Sequence, residues 1–186
     1  MSTNKKSASK TTLRIAMSGV FAALTCLGTL IQIPIAVGPG YVNLGDAVIL
    51  VCAMALGPVA AIPAALGAAL ADLISGYAVY ILPTFIIKGL MGLASGILYK
   101  RLFTLADKNE KTNKLLSSLA HIGIAFLCEA IMILGYFCFE SLPFMYGVSA
   151  ALLSVPFNAI QALAAIIIST ILFNIPSFRK KAGLSD

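Results

Sequence analysis

The sequence predicts an all-α integral membrane protein: six transmembrane helices in one compact bundle, with both termini cytoplasmic. Three observations carry that prediction. First, 60% of the 186 residues are hydrophobic and only 11% charged, with a mean hydropathy of +0.98; soluble domains carry roughly 25% charged residues and about 45–50% apolar ones. Second, the apolar residues gather into long runs that a water-soluble globule of this size could not hide. Third, twelve of the thirteen Lys and Arg residues lie outside those runs in three clusters, Lys5–Arg14, Lys100–Lys114 and Arg179–Lys181. The positive-inside rule places all three in the cytoplasm.

The helices follow in order. Residues 1–12 are Ser-, Thr- and Lys-rich and read as a cytoplasmic tail. The membrane domain covers 13–178, and 179–186 form a basic cytoplasmic tail. Helix 1 is expected over 13–33, stopped by Pro34; its run is too long for the 7–15-residue core of a cleavable signal peptide. Small residues four apart, Ser18 with Ala22 and Gly19 with Ala23, let another helix backbone approach closely in lipid. Residues 34–43 hold Pro34, Gly38, Pro39 and Gly40 without charge, an outer loop suited to serve as a lid. Residues 44–75 are too many for one comfortable span of about 20 residues and too few for two full ones. A short helix 2 (44–56) is therefore expected to turn at Gly57-Pro58 into an Ala-rich helix 3 (58–75). Helix 4 (83–102) returns inward, and Thr104–Lys114 forms a cytoplasmic loop. Helix 5 (115–139) and helix 6 (149–175) complete six passes, joined by an outer link that lacks Lys and Arg.

Polar groups inside apolar runs are costly and mark function. On this topology Asn43 and Asp46 open helix 2, Asp72 lies one turn from the outer end of helix 3, and Tyr77 and Tyr80 occupy the link. Thr84 and Lys88 lie in the first turns of helix 4, Lys88 about 7 Å from the outer end at 1.5 Å per residue. Glu129 and Tyr136, seven apart, share a face of helix 5; Asn158 and Gln161, three apart, share one on helix 6. Several helices thus direct polar groups into one outer-half volume, which predicts a substrate pocket. Asp72 and Lys88 either contact ligand or pair with each other; Asp46 either joins the site or caps helix 2. His121 lies remote from the rest and reads as structural. Cys26, Cys52, Cys128 and Cys138 fall within apolar runs and read as small embedded hydrophobes.

Catalysis is poorly supported. The lone His lies on the wrong side to serve a serine nucleophile. No HExxH, Cys/His cluster or Gly-Lys-Ser/Thr phosphate loop is present, so neither a metal nor a cofactor is expected and the chain cannot hydrolyse ATP itself. Nucleic-acid binding would need a basic face interleaved with aromatic residues. A stand-alone secondary transporter, the other transport reading, usually shows repeats or broken central helices, and the chain shows neither.

The basic N-terminus with helix 1, the loop into VNLGDAVIL, the Gly57-Pro58 turn and the block ALADLISGYAVYILPTFIIKGLMG resemble the substrate-binding S components of energy-coupling-factor (ECF) vitamin transporters. The resemblance spans essentially the whole chain. Within the riboflavin-type S components it is nearest the subgroup for pyridoxine-like compounds and the hydroxymethylpyrimidine precursor of thiamine. It implies a non-enzymatic binding subunit in a bacterial plasma membrane, which captures a small vitamin from outside. It further implies association with a membrane coupling protein and two cytoplasmic ATPases. Family pockets use the first outer loop and the outer halves of helices 4, 5 and 6, and the partner motif on helix 1 matches Ser18 and Ala22 here.

Overall fold

The computed structural model describes residues 2–34, 41–108 and 114–176. The expected lid residues 35–40, residues 109–113 of the cytoplasmic loop and the basic tail 179–186 lie outside the described residues. The chain runs α1 (Ser2–Leu30), β1 (Gln32–Pro34), β2 (Tyr41–Asn43), α2 (Gly45–Leu56), a 3-10 turn (Gly57–Ala60), α3 (Ala61–Ile74), a second 3-10 turn (Ala78–Tyr80), α4 (Ile81–Lys108), α5 (Lys114–Glu140) and α6 (Gly147–Phe173).

Among the described residues, five stretches are long and apolar enough to cross a membrane: Thr11–Leu30, Gly45–Ile74, Ala78–Leu105, Lys114–Glu140 and Gly147–Phe173. The second of them contains both α2 and α3. Its two halves run antiparallel. Asn43, at the head of α2, and Asp72, in the last turn of α3, line the same cavity, whereas Gly57 between the helices lies against Gly96, far down α4. Gly57 makes the reversal possible because its φ of +62° falls in the left-handed region that glycine adopts without a Cβ penalty. Pro58 follows it at the head of the 3-10 turn, where a missing N–H is tolerated.

The chain departs from the sequence expectation at several helix ends. The expected N-terminal tail is helical from Ser2, because residues 2–18 contain neither Gly nor Pro and a helix nucleated in the apolar run can propagate backward. At its other end α1 stops at Leu30 rather than 33, since Gln32, Ile33 and Pro34 pair antiparallel with Asn43, Val42 and Tyr41. Gln32 also ties this hairpin to α3, its Nε2 donating to Ser75 Oγ at 2.8 Å. Helix 4 extends to Lys108 into the expected loop, because Lys100, Arg101 and Ala106 favour helix. Pro83 sits in its first turn, where it breaks no backbone bond.

Packing is inside-out relative to a soluble domain. Leu and Ile side chains are exposed along the outer faces of all the long helices, together with Phe126 at 68%. The polar side chains of Asp46, Lys88, His121 and Glu129 are almost fully buried. In a bilayer this costs little, because lipid solvates the apolar exterior and helices associate through close backbone packing and internal polar contacts. Helix α2 lies inside, against α1, α4 and α6, while α3 fills the space between α1 and α4. Small residues permit these approaches. On α1, the Ala22 carbonyl backs onto Gly67 of α3, Ser18 is half-buried, and Gly19 and Ala23 are exposed. Away from the cavity, His121 stacks on Phe173 at 4.5 Å, and the Tyr99 hydroxyl and its Nδ1 lie 2.8 Å apart. That placement fits a structural role. Of the cysteines, Cys26, Cys52 and Cys128 are buried, but Cys138 is exposed.

The tightest backbone contact supplies a test. A Cβ at Gly96 would stand 2.2 Å from the Gly57 carbonyl oxygen, whereas one at Gly123 would meet nothing within 4 Å. Gly96→Ala is expected to cost about 1–3 kcal/mol through overpacking of the turn. Gly123→Ala is expected to be neutral or to stabilise by up to about 1 kcal/mol. Thermal unfolding of both variants in detergent checks the pair.

Candidate functional site

The VNLGD segment that leads into α2 builds one wall of the site. Asn43 turns back on its own chain, its Oδ1 accepting from the Gly45 N–H at 2.8 Å. Its backbone N–H and Nδ2 both donate to Gln161 Oε1 of α6, at 2.9 and 3.0 Å. The other end of the Gln161 amide donates to Asp46 Oδ2 at 2.5 Å. Asp46 Oδ1 receives Lys88 Nζ at 2.5 Å, and both side chains are buried. One chain of bonds therefore joins β2, α6, α2 and α4.

This pairing decides two points that the sequence left open. Lys88 pairs with Asp46 rather than with Asp72. Asp46 does not cap helix 2: Leu44 is the N-cap residue and makes no side-chain cap bond, the Gly45 N–H is taken by Asn43 Oδ1, and the Asp46 carboxylate is committed to Lys88 and Gln161. Asp72 instead accepts the Tyr41 hydroxyl. Burial first, then the neighbouring Asp72 carboxylate, push the Tyr41 phenol well above its usual range, so it remains a donor.

Aromatic rings form the rest of the wall. Tyr41 and Tyr77 lie 5.0 Å apart, Tyr77 and Tyr80 6.2 Å, and Tyr80 and Tyr136 6.3 Å, each pair tilted or edge-on. These are favourable ring geometries. Tyr136 is fixed by a 3.0 Å contact with Thr84 Oγ1 and lies under Lys88 Nζ, 5.4 Å from the ring centre. Tyr80 donates to Glu140 Oε1 at 3.1 Å, and Ser154 donates to Glu140 Oε2.

Together these residues enclose a cavity of about 40 Å³. Nine of the ten expected substrate-binding residues line it: Asn43, Asp72, Tyr77, Tyr80, Thr84, Lys88, Tyr136, Asn158 and Gln161. Glu129 does not. It is buried behind the wall within electrostatic reach of Lys88 and Asp46, and neither of its oxygens has a hydrogen-bond partner among the described residues. The seven residues that put Glu129 and Tyr136 on one face also separate them by about 10 Å along the axis. Sequence reasoning missed Thr29, Tyr41 and Glu140 as lining residues. Strand alternation sets Tyr41 on the same face as Asn43 once the three-residue strand is known. Glu140 could have been paired with Tyr80 only through the tertiary fold. Among the described residues no cluster of His, Cys, Asp and Glu could hold a metal ion.

The model of the ECF-type riboflavin transporter S component family matches residues 9–176. The chain belongs to that family. It is therefore related to transporter subunits rather than to enzymes, and the family and the apolar helices make it a multi-pass membrane protein. S components bind small vitamin ligands and associate with an energy-coupling module, which makes a substrate-binding role the one to read from this cavity. The chain is also 32% identical over 147 residues to an uncharacterised protein of Pyrococcus woesei, covering 78% of this chain and 88% of that one. No solved structure gives a significant match.

The ion pair gives this S component a sharp dependence. Lys88→Met leaves Asp46 buried without its cation and is expected to cost about 3–5 kcal/mol. Adding Asp46→Asn to that variant removes the stranded charge and is expected to restore a large part of the loss. Thermal unfolding of the single and double variants tests this, and a double variant less stable than the single one would contradict it.

Proposed function

We propose that this S component captures a water-soluble, single-ring heterocyclic vitamin or precursor at the outer membrane face. Pyridoxine-like compounds and hydroxymethylpyrimidine are favoured, with riboflavin next. The observation that carries this reading is the compact tyrosine-walled cavity with placed polar groups, since ligand sites combine apolar or aromatic walls with a few directional contacts. A flat ring can stack among Tyr77, Tyr80 and Tyr136, and Asn158, Gln161 and Lys88 offer directional bonds to its edge.

In the proposed topology the doubled-back α2–α3 segment gives six passes, with both termini and the basic clusters in the cytoplasm of a bacterium and the cavity facing out. Tyr41 and Asn43, which belong to the wall, hold the ligand from the side of the first outer connection. The flank of α1 bearing Ser18 and Ala22 meets a membrane coupling protein. Two cytoplasmic ATPases drive the motion that releases the vitamin inward.

Equilibrium binding of labelled pyridoxine, hydroxymethylpyrimidine and riboflavin to the purified protein tests the ligand. Tyr136→Ala, losing one stacking partner, is expected to weaken binding by about 5- to 30-fold, or about 1–2 kcal/mol. Asn158→Ala is expected to weaken it as well; unchanged affinity in both variants contradicts the pocket assignment. Affinity purification from native membranes is expected to recover an ATPase-bearing complex, whereas its consistent absence favours a stand-alone secondary transporter.

A further inference from the structure

The charges around the cavity do not balance. Among the described residues Lys88 is the one basic residue lining it, and Asp46 holds that lysine at 2.5 Å. Two further carboxylates line the cavity, Asp72 at 2% and Glu140 at 3% exposure. Glu140 is bonded only by the neutral hydroxyls of Tyr80 and Ser154. Asp72 accepts the Tyr41 hydroxyl and lies beside that of Thr84; Lys88 is within electrostatic reach but is held by Asp46, and Asp72 Oδ2 has no hydrogen-bond partner among the described residues. The connecting segments at this end of the bundle add no cation: residues 31–43, 75–80 and 141–147 contain neither Lys nor Arg.

A buried carboxylate without a cationic partner is costly, and a ligand that brings the missing charge recovers that cost on binding. The neighbouring walls suit a cation as well. Tyrosine faces attract a positive group through the ring quadrupole, and Tyr41, Tyr77 and Tyr80 form a continuous run of rings beside Asp72 and Glu140. Lys88 already places a positive charge over Tyr136, which leaves the other three rings to meet the charged group of a ligand.

We infer that the cavity selects a cationic ligand, a heterocycle bearing an ammonium or protonated ring nitrogen that docks between Asp72 and Glu140 against the tyrosine faces. This deepens the vitamin-binding reading above and rests on it for the heterocycle, but not for the charge. A neutral ring of the same size leaves both carboxylates unpaired and binds more weakly.

Matched probes separate the two layers. Binding of benzylammonium against benzyl alcohol, and of pyridoxamine against pyridoxine, is measured on the full-length protein in non-ionic detergent. Each pair differs chiefly by an ammonium in place of a neutral hydroxyl. The ammonium member of a pair is expected to bind about tenfold or more tightly, from one desolvated cation–π contact together with one new ion pair. Asp72→Asn, which keeps the side-chain shape, is expected to reduce that preference several-fold, and Glu140→Gln provides an independent second variant should Asp72→Asn fail to fold. Equal or tighter binding of the neutral members in the parent protein overturns the inference, as does a preference unchanged in both variants. Preference for benzylammonium without binding of either vitamin-like probe upholds the cation site and counts against the single-ring vitamin. Binding of no probe overturns both.

Discussion

The buried pair between Lys88 and Asp46 ties α2 to α4 beside the cavity, and much of the cavity wall is built around it. In a low-dielectric interior neither charge can remain alone, because the penalty for an isolated buried ion is several kcal/mol. Helices α2 and α4 must therefore bring the two groups together at 2.5 Å. Gln161 then has one orientation available, with its NH2 toward Asp46 and its carbonyl toward Asn43. That orientation draws α6 and the β hairpin onto the same point. With α2 anchored there, the reversal at Gly57 carries α3 back beside α1 and α4, and Asp72 arrives within reach of Tyr41. The bonds around a single charge interaction thus join the hairpin, α2, α4 and α6 beside the cavity.

The bilayer reading explains why the chain can hold so many buried polar groups. Its exterior needs no polar residues, so the few that it carries are free to face inward, and each must find a partner or mark a site. Most find one. His121 meets Tyr99 and Ser169 away from the cavity, where the contacts lock α4, α5 and α6 together. The acidic groups left over are Glu129, neither of whose oxygens has a hydrogen-bond partner among the described residues, and Asp72, whose Oδ2 has none. They lie on and just behind the wall of the cavity, where an arriving ligand can change their surroundings.

Much of this architecture was legible in the sequence because it depends on local pattern. Apolar runs of membrane length mark the long helices, and the Gly57-Pro58 pair marks the reversal inside a run of awkward length. Polar residues confined to one end of successive runs converge whatever the helix rotations, and hence Asn43, Asp72, Lys88, Asn158 and Gln161 could be assigned to one volume. The partners within that volume were not legible. Whether Lys88 meets Asp46 or Asp72 depends on how far α2 and α3 are rotated about their axes, which spacing along α4 does not encode. Asp46 resembled a helix cap because acidic residues favour a first turn, yet a buried cation competes more strongly for the carboxylate than backbone N–H groups do. Tyr41 was missed because a short strand beside a Gly- and Pro-rich segment gives almost no periodic signal, and Glu129 was misplaced because helical phase says nothing about depth.

The central claim is that this cavity exists to hold a small vitamin-type ring. Mass spectrometry of the small molecules released by heat from the protein purified in detergent tests it most directly. The structure-based reading predicts a stoichiometric single-ring heterocycle with a basic nitrogen, present in the parent protein and depleted from the Tyr136→Ala variant. A protein that releases no such molecule, and that takes up none when supplied with pyridoxine-type rings, hydroxymethylpyrimidine or riboflavin, would contradict it.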